Sequence, residues 1–382
     1  MMRVEGTALY PYVLIGIVVL FVAPVMFLPY PALAHRPTDP AHQLYRMGDF
    51  KLESGEVIQD MAVSYVTHGQ LNPKKSNVIL MVTAIGGNHH RIDFLIGPGK
   101  ALDTTKYYVV CADAISNGLT TSPSNSKTQP GVKFPRFTIR DMVSSQHKLL
   151  RDHLGIDRVV TVIGPSMGGM QALQWGVSYP EFMDSLVPMV PLAKTPAWTC
   201  VMLEIARKAI MLDPAWNNGN YTEIPEKGMR LFWDIIVAVA SRNPWAYRSQ
   251  FPVGPDVLPW LKTTEDALVK AVDPNNWLYQ SWAYEAHDLG TTPGMNGDLV
   301  KALRSIKAKT LLLTSINDVL NPEWEPLEAA RYIRDVTCVT INPYSANGHL
   351  AASGAVPADV DFLNHEIGRF LDLVTNQGKK LQ

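Results

Sequence analysis

A serine flanked by glycines is the strongest chemical signal in this sequence of 382 residues. The stretch Gly164-Pro165-Ser166-Met167-Gly168-Gly169 follows an apolar run at 159–163 and precedes a helical pattern at 170–177. A serine at a tight strand-to-helix turn is exposed as a nucleophile, and small residues two positions away on either side avoid a clash. The pattern predicts acyl transfer by Ser166; the alternative is a glycine-rich turn without a chemical role.

The serine needs a base, and an acid and a histidine follow it in the chain order expected for such a site. Asp318 comes just after the apolar run at 310–314, and His349 follows the next run at 336–341. Both should stand at the carboxyl ends of strands, where the sites of open α/β sheets gather. We predict a Ser166–His349–Asp318 triad. The alternatives are a helix cap for Asp318 and a solvated loop for His349.

The second donor to a substrate oxyanion is expected in the loop 84–87, directly after an apolar run. We predict that the backbone N–H groups of Ile85 and Met167 form the oxyanion hole. Gly86 and Gly87 should line the substrate pocket, because glycine lets the backbone approach a ligand closely.

Two adjacent histidines, His89 and His90, come next in the sequence. Adjacent side chains point in different directions, and no cluster of carboxylates completes a metal site around them. We therefore predict a solvated loop here, no metal site and no bound cofactor.

Short apolar runs alternate with helical stretches along most of the chain, which predicts an α/β fold with a mostly parallel, doubly wound sheet. An edge hairpin is expected at 57–68. The strand signal disappears in 191–300, which we interpret as an inserted helical lid between two parts of the core, 35–190 and 301–382. The apolar runs lie at 77–83, 107–111, 159–163, 186–190, 310–314 and 336–341.

The first 34 residues form a separate segment, apolar from 8 to 28 and ending in Ala32-Leu33-Ala34. The small residues fit a signal-peptidase site, which predicts a secreted or periplasmic protein; the alternative is an uncleaved membrane anchor. The net charge of -1 gives no electrostatic reason to expect nucleic acid as a partner. We expect a small-molecule ester as substrate.

Several stretches resemble the homoserine O-acetyltransferase family of the α/β-hydrolases, over about residues 50–373. The resemblance implies an α/β-hydrolase fold, a triad of Ser166, His349 and Asp318, acetyl-CoA as acyl donor, and a homodimer formed through the lid. The matching stretches are Phe50-Lys51-Leu52-Glu53-Ser54-Gly55, Gly97-Pro98-Gly99-Lys100-Ala101-Leu102-Asp103-Thr104, Phe137-Thr138-Ile139-Arg140-Asp141-Met142, Ser166-Met167-Gly168-Gly169-Met170-Gln171-Ala172-Leu173 and Leu212-Asp213-Pro214-Ala215-Trp216.

Three positions depart from what the resemblance implies for a homoserine site. Leu350 stands where an aspartate would pair with the ammonium group, and Trp233 and Ala240 replace an arginine and a tyrosine. Burying a zwitterion without partners for its charges costs several kcal/mol. Arg230 would restore a homoserine site if its side chain reached the pocket from a neighbouring turn.

These departures decide the order of the predicted functions. Hydrolysis of a carboxylic ester outside the cytoplasm ranks first, because an exported enzyme would not meet acetyl-CoA. An O-acyltransferase of the homoserine O-acetyltransferase type ranks second, since it needs the same nucleophile, base and oxyanion hole. A non-catalytic ligand-binding relative ranks third, because every residue of the triad and the turn is present.

Overall fold

The computed structural model describes residues 41–380. The predicted signal peptide or anchor at 1–34 lies outside the described residues, so export stays a prediction. Within the described part of the chain, no helix has both the length and the apolar character needed to cross a membrane.

One mostly parallel sheet forms the centre of the described chain, with strands in the order β1-β2-β4-β3-β5-β6-β7-β8. Strand β2 runs antiparallel to both of its neighbours, and the remaining pairs are parallel. The strands are Gln43–Lys51 (β1), Val57–His68 (β2), Val78–Val82 (β3), Tyr108–Ala112 (β4), Val159–Pro165 (β5), Met183–Met189 (β6), Lys309–Thr314 (β7) and Val336–Thr340 (β8).

Helices cover both faces of the sheet, which explains why every residue of β3 and of β5 is buried. Apolar clusters lie on each side of these strands. The helices are Ile139–Lys148 (α1), Met167–Ser178 (α2), Ala197–Met211 (α3), Glu226–Trp233 (α4), Pro244–Gln250 (α5), Val257–Leu268 (α6), Pro274–Glu285 (α7), Leu299–Ser305 (α8), Trp324–Ala330 (α9) and Pro357–Lys380 (α10).

The helical lid enters the chain between β6 and β7 and contains α3 to α7, while α8 leads back to the sheet. Helix α3 packs against α4 and α7, and α4 packs against α6. The predicted α/β fold with an inserted helical lid is therefore confirmed.

The edge of the sheet differs from the sequence prediction. The range 57–68 is a single strand, β2, and its hairpin partner is β1. Most residues of β1 are exposed, so the strand carries no apolar run that would mark it in the sequence.

Candidate active site

Ser166 occupies a strained turn between β5 and α2. Its backbone has φ 56° and ψ -120°, a conformation that L-residues rarely adopt, and its N–H donates to the carbonyl of Met189 at 2.8 Å. A Cβ atom at Gly164 or at Gly168 would lie 2.5 Å from the carbonyl oxygen of Val82. The glycines are thus required because the turn packs directly against the end of β3.

A continuous hydrogen-bonded chain joins the three side chains predicted as a triad. The Ser166 Oγ lies 2.8 Å from His349 Nε2, and His349 Nδ1 lies 2.8 Å from Asp318 Oδ2. All three residues are buried. With Nδ1–H donating to the carboxylate, Nε2 is oriented to accept the serine proton.

The loop after β7 holds the carboxylate in place. Asp318 Oδ1 accepts the backbone N–H groups of Leu320 at 2.9 Å and Asn321 at 2.8 Å, which leaves Oδ2 for the histidine. The Ser315 hydroxyl donates to the carbonyl of Gly348 at 2.6 Å and thereby ties this loop to the histidine loop. Asp318 therefore orders its own loop and also faces His349.

The loop after β3 and the start of α2 present the N–H groups predicted as an oxyanion hole. Among the described residues, neither the Ile85 N–H nor the Met167 N–H has a hydrogen-bond acceptor, so both are available to a substrate oxygen. The N–H of Gly86 is occupied, since it donates to Gln280 Oε1 at 2.8 Å.

Gln280 is a lid residue that sequence reasoning missed. It is fully buried on α7, and its Nε2 donates to the carbonyl of Ile115 at 2.9 Å while its Oε1 holds Gly86. The available signal was a glutamine among large aromatic residues, Trp277, Tyr279 and Trp282, because an amide side chain buried among them needs hydrogen-bond partners.

The residues predicted to line the pocket lie in different surroundings. Gly86 borders a cavity of about 230 Å³ together with Trp277 and Gln280. Gly87 is buried and donates to the carbonyl of Ala84 at 3.0 Å. Leu350 is buried directly after the histidine.

Two further residues predicted to line the pocket, Trp233 and Arg230, both lie on α4 but have different surroundings. Trp233 is 7% exposed, and its indole N–H has no hydrogen-bond partner among the described residues. Arg230 instead donates to Asp266 at 2.6 Å and lies 3.5 Å from Glu265, in a partly exposed ion-pair cluster of the lid. The structure corrects the prediction for Arg230: nearby carboxylates hold the guanidinium at the lid surface.

The environment of the two adjacent histidines also differs from the prediction. His89 and His90 are buried, with Nδ1 atoms 2.8 Å from carboxylate oxygens of Asp113 and Asp93. They are structural hydrogen-bonding groups and not members of a solvated loop. Within residues 41–380, no group of three or more His, Cys, Asp or Glu side chains is arranged to hold a metal ion.

These features define a class of protein. A serine at a strained turn, linked through a histidine to an aspartate at the carboxyl edge of a mainly parallel sheet, is the arrangement of the α/β-hydrolase superfamily. The sequence profile described as "alpha/beta hydrolase fold" matches residues 77–246.

The chain belongs to the homoserine O-acetyltransferase family within that class. It is 34% identical over 366 residues to the homoserine O-acetyltransferase of Methanosalsum zhilinae, covering 86% of this chain and 72% of the relative. It is 33% identical over 325 residues to that of Carboxydothermus hydrogenoformans, covering 75% of this chain and 84% of the relative. The predicted family and the prediction of an enzyme are confirmed.

Solved structures with the same fold carry two kinds of name. An acetylester hydrolase from Corynebacterium glutamicum superposes with a TM-score of 0.81 at 27% identity, covering 87% of this chain and 96% of that one. A homoserine O-acetyltransferase from Bacillus anthracis superposes with a TM-score of 0.76 at 27% identity, covering 87% and 97%.

The contacts of Asp318 lead to a direct test of the triad. Replacing Asp318→Asn should lower kcat by roughly 10⁴-fold, because an amide would favour the wrong tautomer of His349. Turnover of p-nitrophenyl acetate at pH 7 measures the effect. Asp288→Asn is the matched control, since Asp288 pairs with Lys194 on the lid side at 2.9 Å and should leave kcat unchanged. Equal losses in the two variants would contradict the assignment.

Proposed function

We propose that this protein is a serine-dependent O-acyltransferase, in which Ser166 takes a short acyl group from a thioester such as acetyl-CoA and passes it to a hydroxyl group. The hydrogen-bonded chain from Ser166 through His349 to Asp318 carries the proposal. The two sequence relatives described above are both homoserine O-acetyltransferases, which favours acyl transfer over the secreted ester hydrolase that ranked first from the sequence.

Acylation begins when Ser166 Oγ attacks the acyl carbon and His349 Nε2 takes the serine proton. The negative charge that develops on the acyl oxygen is stabilised by the N–H groups of Ile85 and Met167. His349 then returns its proton to the departing thiolate, and Asp318 stabilises the imidazolium in between. The products are a free thiol and an ester on Ser166.

Deacylation repeats these steps with the acceptor in place of the serine. His349 removes the proton from the acceptor hydroxyl, whose oxygen attacks the acyl carbon. The intermediate collapses when Ser166 Oγ leaves and regains a proton from His349. The nature of the acceptor therefore depends on the pocket and not on the triad.

Three buried apolar residues favour an acceptor alcohol without charged groups. Leu350, Trp233 and Ala240 are buried at the three positions where the family resemblance implies partners for an amino acid, and Arg230 is bound to carboxylates elsewhere. An ammonium or carboxylate placed against these apolar side chains would lose its hydration without compensation. We therefore propose a neutral alcohol as acceptor in place of homoserine.

Hydrolysis is the second candidate, and the same apolar positions favour it. Water needs no charged partner at Leu350 or Trp233, and it discharges an acyl-enzyme with the same base and oxyanion hole. Transfer and hydrolysis then differ in how well the pocket holds an alcohol relative to water.

The acceptor is tested by offering acetyl-CoA to the full-length protein with homoserine, with butanol or with water alone. We expect thiol release and butyl acetate formation, with acetylhomoserine formed at least about tenfold more slowly, one tenfold step being 1.36 kcal/mol in the barrier. Thiol release is measured with a disulfide reagent that gives a coloured product, and the acetylated products are identified by mass spectrometry.

Each other outcome of this assay has a definite meaning. Thiol release without any acetylated alcohol would show hydrolysis, and a preference for homoserine would overturn the argument from the apolar positions. Ser166→Ala should abolish every activity. Activity that survives this substitution would refute the acyl-enzyme.

Leu350 offers a second test, since an aspartate here would supply the missing partner of an ammonium group. Leu350→Asp should raise the rate with homoserine relative to butanol by roughly tenfold, because a carboxylate beside the site pairs with the amino group. Leu350→Asn is the control of equal size without the charge. If both variants gain homoserine activity equally, charge pairing is not the cause.

We further propose that the protein forms a homodimer through the lid, as the family resemblance implies. Val201 and Ile205 lie one turn apart on α3 and are 52% and 46% exposed, next to the half-exposed Trp198. An apolar helix face of this kind in contact with water is typical of a protein–protein interface.

The dimer is tested with the double variant Val201→Glu and Ile205→Glu. Sedimentation velocity should give a dimer for the wild type and a monomer for the variant, because the charges cannot be buried unpaired in the interface. Leu373→Glu, on the far helix α10 and 50% exposed, is the control that should remain dimeric. A monomeric wild type, or a dimeric double variant, would rule out this interface.

A further inference from the structure

A chain of three buried side chains runs from helices α1 and α2 to the end of β3. Trp175 Nε1 donates to Gln146 Oε1 at 2.9 Å, and Gln146 Nε2 donates to Gln171 Oε1 at 2.6 Å. Gln171 Nε2 donates to the carbonyl of Thr83 at 2.9 Å and to that of Met167 at 3.2 Å. All three side chains are fully buried. The chain of hydrogen bonds therefore ends on the two backbone segments that carry the oxyanion donors.

The indole of Trp175 fixes the direction of every bond in this chain. A tryptophan N–H can only donate, so it must face the amide oxygen of Gln146, and the amide NH₂ of Gln146 then faces Gln171. Gln171 accepts with its oxygen, which directs its own NH₂ group at the two carbonyls. A reversed amide would set oxygen against oxygen in a buried site and leave these groups unsatisfied. The orientation of Gln171 is thus determined by its neighbours.

On the side of β3, Gln171 holds the peptide group just before the one that carries the Ile85 donor. The Thr83 carbonyl accepts from Gln171, and the next carbonyl, that of Ala84, accepts the N–H of Gly87 at 3.0 Å. In a trans peptide the N–H points opposite to the carbonyl, so the second contact sets the direction of the Ile85 N–H. Two successive peptide planes of the oxyanion loop are therefore fixed.

On the side of α2, the same amide holds the peptide group just after the one that carries the Met167 donor. The Met167 carbonyl accepts from Gln171, and the Ser166 carbonyl accepts the N–H of Met170 at 3.0 Å. The Met167 N–H belongs to the peptide group of the Ser166 carbonyl and points the opposite way. One NH₂ group thus bridges the two segments, so the separation of the two donor N–H groups depends on Gln171.

We propose that Gln171 is a positioning residue, which holds the N–H groups of Ile85 and Met167 at the separation that a tetrahedral intermediate needs. Its side-chain atoms are all engaged with protein groups, so it acts through the backbone and does not touch the substrate. Gln146 and Trp175 keep its amide aligned, and donors held in place in advance stabilise an oxyanion best. The inference rests on the proposed function in that these N–H groups receive the oxyanion, and it holds for an alcohol or for water as acceptor.

Gln171→Met keeps the length of the side chain and removes both donated hydrogen bonds. The kcat/KM of the full-length protein for p-nitrophenyl acetate should fall by roughly tenfold to hundredfold, because both donor N–H groups remain but lose their spacing, whereas removing a whole donor costs about 10²–10³. An unchanged kcat/KM in a folded Gln171→Met protein would overturn the inference.

A transition-state analogue separates positioning from a general loss of structure. Trifluoromethyl ethyl ketone accepts Ser166 Oγ at its carbonyl carbon, the serine proton passes to His349, and the carbonyl oxygen becomes an oxyanion in the hole. Its inhibition constant should rise in Gln171→Met by the same factor as kcat/KM falls. The corresponding alcohol forms no oxyanion, so its inhibition constant should stay unchanged. Equal weakening of both inhibitors would show a damaged pocket and contradict a positioning role.

Gln174→Met is the matched control on the same helix. Gln174 is also fully buried, and its Nε2 donates to Ser178 Oγ at 2.9 Å and to Thr292 Oγ1 at 3.0 Å, away from the oxyanion segments. Its kcat/KM and both inhibition constants should equal those of the wild type. A loss as large as that of Gln171→Met would show that the effect follows from removing any buried glutamine of α2.

Gln146→Met tests the same idea if Gln171→Met does not fold. This change leaves Gln171 in place but releases its amide from alignment, so kcat/KM should fall by a few-fold and the ketone should bind more weakly by the same factor. Wild-type values in Gln146→Met would overturn the inference. Ser166→Ala separates the two ideas, since activity that survives it would refute the proposed function itself.

Discussion

The close approach of Gly164 and Gly168 to the carbonyl oxygen of Val82 is the contact on which the whole site depends. This contact places the turn of Ser166 against the end of β3, and Ile85 of the oxyanion loop lies only three residues further along the chain. The nucleophile and the oxyanion loop therefore share one support. Any side chain larger than hydrogen at either glycine would push them apart, because the interior leaves no free volume there.

Helix α7 adds a second support from the opposite side of the site. Its Gln280 holds the oxyanion loop at Gly86, and its Asn276 accepts from the Ser116 hydroxyl through the backbone and bonds Ser124 through the side chain. Tyr284, two turns after Asn276, bonds the acid loop. The lid thus orders groups that the sheet alone would leave on mobile loops.

The sequence was sufficient for the parts that rest on strong local patterns. Buried strands appear as apolar runs, and the turn at Ser166 has a fixed spacing, so the triad and the sheet were predictable. Strand β1 was missed because its apolar residues are interspersed with polar ones and most of the strand is exposed, so its place in the sheet depends on pairing with β2. Arg230 was misplaced because ion pairs between helices have no local signal. Gln280 meets the loop of Gly86, and Tyr284 meets Asn321 of the acid loop, only through the fold of the lid.

Because α7 contributes hydrogen bonds to both the oxyanion loop and the acid loop, the lid is a working part of the site as well as its cover. In this protein the sheet and its loops do not hold the catalytic groups alone, and the inserted lid does not serve substrate selection alone. Replacing this lid with the lid of another protein would change more than the pocket. It would also replace the side chains that hold the oxyanion loop and the acid loop. The activity of this protein therefore depends on α7 as well as on the serine turn.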